Sequence, residues 1–127
     1  SEATIDVSVS AKFWGEMDVL VYTAEDDKWE ETFAGGVISG DGVGPDAVRD
    51  WVRAWSRPLK QNKSRVVVRL TPGAARFLLW DFDTARFDIW EDEVDQGWRE
   101  KHGFIRTGRR VRAELRAWLD QMTIGGR

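Results

Sequence analysis

Apolar and polar residues alternate through residues 4–13. Ile5, Val7, Val9, Ala11 and Phe13 share one side, and Asp6, Ser8, Ser10 and Lys12 share the other. A period of two is that of a strand with one face buried. The alternation resumes over residues 17–23, with Val19 and Val21 opposite Leu20 and Tyr22. After the polar turn at 24–28 it returns in Trp29, Glu31 and Phe33 against Glu30 and Thr32. Three such runs in succession predict an antiparallel meander. Gly35 and Gly36 then break or bulge the third strand ahead of Val37 and Ile38.

The period changes after the loop at 40–45. Val48, Trp51, Val52 and Trp55 recur at i, i+3, i+4, i+7, which predicts an amphipathic helix. Pro45 suits its first position, Asp46 its positive N-terminal end, and Pro58 stops it near Arg57. Residues 60–64 read as a polar connector, and 65–70 as a strand rich in β-branched residues. Thr71, Pro72 and Gly73 read as a turn into a hairpin over 77–91. In that hairpin Leu78, Trp80, Phe82, Phe87 and Ile89 cover one face, and Asp81, Asp83 and Asp88 the other. With Thr84 and Ala85 at the tip, Phe82 pairs with Phe87, Asp81 with Asp88 and Trp80 with Ile89. Residues 91–103 fit either a short helix interrupted near Gly97 or an ordered loop held by Trp98. From Thr107 a helical stripe runs through Val111, Leu115, Trp118, Leu119 and Met122, and 124–127 reads as a frayed tail.

The order β-β-β-α-β-β-β-α predicts an α+β fold. It consists of a mostly antiparallel sheet of about five to six strands, meander plus hairpin, with two main helices packed on one face. A length of 127 residues fits a single globular domain, 1–127, able to bury a core without staples. No run approaches the length of a membrane span, and the polar N-terminal alternation is not that of a signal peptide.

Composition narrows the chemistry. With no cysteine there is no thiol nucleophile, thiolate metal site or disulfide frame, and a reducing cytoplasm is the default compartment. The single histidine, His102, lies in a very polar stretch and reads as a surface residue rather than a member of a triad. No cofactor and no metal is expected. The loop at 40–45 is glycine-rich but fits no phosphate-binding fingerprint, and Asp41, Asp46 and Asp50 would repel a phosphate. Eight tryptophans are many for this length, and about five of them are expected in the core.

Charge is segregated along the chain, although the total is only −3. Residues 16–31 carry seven acids and one lysine, 49–76 eight bases and one acid, 81–95 seven acids and one arginine, and 99–116 seven bases and two acids. Neutralisation on the folded surface is one outcome; a patch for an oppositely charged partner is the other. Opposed carboxylates on a hairpin are unfavourable unless solvated or used, so Asp81, Asp83 and Asp88 are candidates for a cation or a basic partner. Trp90 and Trp98, beside Glu91, Asp92, Glu93 and Asp95, are candidate partner anchors. Arg106, Arg109, Arg110 and Arg112 form the main basic patch, with internal pairing to the acids at 91–95 as its bland explanation. A pI near 5.2 makes nucleic acid an unlikely partner.

The leading expectation is a small non-enzymatic interaction module, acidic and Trp-rich, that inhibits a basic protein in the manner of an immunity protein or antitoxin. A self-associating phage or assembly protein is the second expectation. An enzyme using Asp81, Asp83 and Asp88 around a metal is the third, and a Trp platform for single strands or carbohydrate the fourth.

Overall fold

The computed structural model describes residues 2–17, 43–83 and 103–125. Strand β1, Ile5–Ser10, opens the fold. Helix α1 follows at once, over residues 11–17. The switch is local: the Ser10 hydroxyl accepts the Phe13 N–H at 3.1 Å, which caps the new helix. The expected strand therefore stops three residues early. Phe13 and Met17, both fully buried, are related as i and i+4 on a helix rather than across two strands. The remainder of the expected meander, 18–38, lies outside the described residues.

Helix α2, Pro45–Ser56, is the one the stripe predicts, with Ala47, Val48, Trp51 and Trp55 buried. The short strand β2, Lys60–Gln61, occupies what reads as a connector. Asn62 makes this possible: its side-chain oxygen accepts the backbone N–H groups of Ser64 and Arg65, each at 2.9 Å. The resulting tight turn folds β2 onto β3, Arg65–Leu70. The sheet has the order β1-β3-β2 and is antiparallel throughout. Ile5 lies opposite Leu70, Val7 opposite Val68 and Val9 opposite Val66, so one face is apolar and covered by helices.

The largest departure from the sequence reading is helix α3, Pro72–Asp83. Thr71 and Pro72 start a helix here instead of a turn. The Thr71 hydroxyl accepts the Ala74 N–H at 3.2 Å, and Pro72 takes a first-turn position where its missing N–H costs nothing. Ala74, Ala75, Leu78 and Phe82 are buried at helical spacing. Leu78 and Phe82, two residues of the expected hairpin face, also satisfy i, i+4, and that is why alternation misled. The pairs Trp80–Ile89, Asp81–Asp88 and Phe82–Phe87 do not form, because residues 80–82 are helical; residues 84–91 lie outside the described ones. With 11–17 and 72–83 helical, the described residues form α+β architecture with four helices and a three-stranded sheet, in place of five to six strands and two helices.

Helix α4, Phe104–Gly125, begins three residues earlier than its stripe suggests and continues through Gly125, into the stretch read as a tail. Gly103 precedes it at φ 69°, a conformation glycine adopts without Cβ strain. Val111 and Leu115 are buried; Trp118 and Leu119 pack at the margin of the core.

Helices α2 and α3 run parallel, with their N-termini at the same end. A Cβ on Gly73 would lie 3.4 Å from that of Ala47. Farther along, the Trp51 and Phe77 rings are 5.1 Å apart, and Phe13 sits 6.4 Å from both Trp55 and Phe82. The rings of Phe13, Trp51, Trp55, Phe77 and Phe82 thus join α1, α2 and α3. Across this cluster Trp14 Nε1 donates to the Trp55 carbonyl at 3.0 Å, and Trp55 Nε1 donates to the Trp14 carbonyl at 3.3 Å.

Trp51 is as buried as Trp55, but its Nε1 has no hydrogen-bond partner among the described residues. The two tryptophans should therefore differ when each becomes phenylalanine. Trp51→Phe removes an unsatisfied donor; Trp55→Phe breaks a bond between helices. Urea unfolding should show Trp55→Phe the more destabilising by about 1 kcal/mol, and Trp55→Ala should cost about 3–5 kcal/mol. Equal losses for the two phenylalanine variants would contradict the asymmetry.

Candidate interaction surface

The residues nominated from sequence part company in the fold. Asp81 is on α3 and 2% exposed, inside the protein rather than on an acidic face. Asp83 is the last residue of that helix. Asp88, Trp90, Glu91, Asp92, Glu93, Asp95, Trp98 and His102 lie outside the described residues. The Asp81–Asp88 carboxylate pair proposed for a hairpin loses its geometry with the hairpin. No group of three possible metal ligands lies together among the described residues.

The basic patch is split by the turns of α4. Arg106 and Arg109 are exposed. Arg110 is directed at neighbours: it bonds Glu114 at 2.8 Å and donates to the Ser8 carbonyl of β1. Arg112 donates to the Phe82 carbonyl and places its guanidinium 6.0 Å from the Phe82 ring. That carbonyl belongs to the last turn of α3, where a cation both satisfies an orphan acceptor and complements the negative helix end. The acids at 91–95, expected as the internal partners of these arginines, lie outside the described residues; the contacts of Arg110 and Arg112 run to Glu114, a strand carbonyl and a helix terminus.

The open face of the sheet carries Asp6, Ser8 and Ser10 from β1, Arg65, Val67 and Arg69 from β3, and Lys60 from β2. Arg69 grips Asp6 in a two-pronged contact, Nε–Oδ1 at 2.7 Å and Nη2–Oδ2 at 3.0 Å. That hydrogen bonding holds the Asp6 carboxyl below its ordinary range; burial opposes it, and charge attraction from Arg69 and Lys60 adds to the lowering. Arg65 donates to the Ser8 hydroxyl at 2.8 Å. Sequence reasoning marked Asp6 and Ser8 only as the polar side of a strand. The signal for the rest, the basic alternation Arg65, Val67, Arg69, becomes readable once the β1–β3 register is known.

A cleft of about 470 Å³ lies where the N-terminal turns of α2 and α3 meet. Glu2, Asp46, Asp50 and Arg76 line it together with Gly44 and Gly73. Asp46 is paired with Arg49 at 2.9 Å, and Asp50 accepts from the Thr71 hydroxyl at 3.4 Å. These carboxylates offset the positive helix ends and disfavour an anion.

No helix among the described residues is long and apolar enough to cross a membrane. Comparison with protein-family models, with curated proteins and with solved structures found no match to the chain. Its class is thus set by the α+β architecture alone.

The Asp6–Arg69 pair makes a pH-dependent contribution of known sign. A carboxyl depressed on folding stabilises the protein above its unfolded value and loses that contribution as pH falls through the folded value. Asp6→Asn should cost under about 1 kcal/mol at neutral pH, as for other solvent-facing pairs. The difference from wild type should shrink as the pH falls from neutral to about 2. Urea melts at the two pH values check this; a difference that persists in acid would assign the loss to packing instead of the ion pair.

Proposed function

We propose that the chain is a small, non-enzymatic protein-interaction module whose acidic, Trp-bearing stretches bind a basic protein, as an immunity- or antitoxin-like inhibitor does. The separation of charge carries this reading. The described residues hold most of the chain's bases and fewer than half of its acids; the other acids concentrate in 18–42 and 84–102 with Trp29, Trp90 and Trp98. Acidic residues around aromatic side chains supply both steering and desolvated anchors for a basic surface. Asp83, Asp88, Trp90, Glu91, Asp92, Glu93, Asp95 and Trp98 are the residues assigned to it. Asp81 leaves the set because it is buried. The reading places the protein in the cytoplasm, where a chain without cysteine loses nothing to reducing conditions.

The same charge separation favours a second reading. A molecule basic in one part of its sequence and acidic in another is complementary to its own copies, as an assembly protein would be.

Affinity capture from the host's own lysate, paired with light scattering of the purified chain, separates the two. The interaction reading expects one stoichiometric basic partner, lost at high salt and in the Trp90→Ala/Trp98→Ala variant, with the free chain monomeric. Recovery of the chain alone, with mass rising with concentration, would replace it with self-assembly.

A further inference from the structure

We draw no further inference here: the strongest candidate, the exposed basic surface patch of Lys60, Lys63 and Arg65 on the β2–β3 hairpin, belongs to a chain most of whose acidic residues lie outside the described ones, so nothing in the structure shows what covers or neutralises it.

Discussion

Everything described here is organised around the aromatic contact between the first helix and the second. Phe13 lies in the core on the helix that Ser10 caps, and it there meets Trp55 and Phe82. The reciprocal indole-to-carbonyl bonds of Trp14 and Trp55 fix the same junction with polar groups that burial would otherwise leave unpaired. Sequence positions about forty apart are thereby held in one place. Once they are, Trp51 and Phe77 align α2 with α3, and the apolar side of the sheet closes beneath them.

That arrangement also decides which charged groups are left to act. The core takes Asp81, and the last turn of α3 takes Arg112, so two of the residues with the most evident chemical promise serve inside the fold. Arg110 is spent on a strand carbonyl and Arg69 on Asp6. Bases that keep their charge outward include Lys60 and Arg65 on the sheet, Arg53 and Arg57 at the end of α2, and Arg106 and Arg109 at the start of α4. The described body is consequently basic even though the whole chain is acidic, and any account of its partners has to begin from that polarity.

Local patterns with only one period were legible in the sequence. The Val48–Trp51–Val52–Trp55 stripe, bracketed by Pro45 and Pro58, could only be a helix, and Arg65 to Leu70, with its three consecutive valines and no helical stripe, could only be a strand. Phe13 and the 77–82 run were not legible, because their apolar residues satisfy both spacings. What settles them is a hydroxyl cap, from Ser10 in one case and Thr71 in the other, each a signal present in the sequence but outweighed by alternation. The candidate surface was less accessible still. Register and the carbonyl that Arg110 reaches are relations between segments up to 102 residues apart, and no local pattern encodes them.

The claim on which most depends is that 72–83 is a helix lying parallel to α2. Backbone-assigned nuclear magnetic resonance tests it directly. The structure requires helical carbon shifts over Pro72–Asp83, with proton contacts from Ala47 to Gly73 and from Trp51 to Phe77. Extended shifts over 77–83, with cross-strand contacts from Trp80 to Ile89 and from Phe82 to Phe87, would contradict it and restore the hairpin.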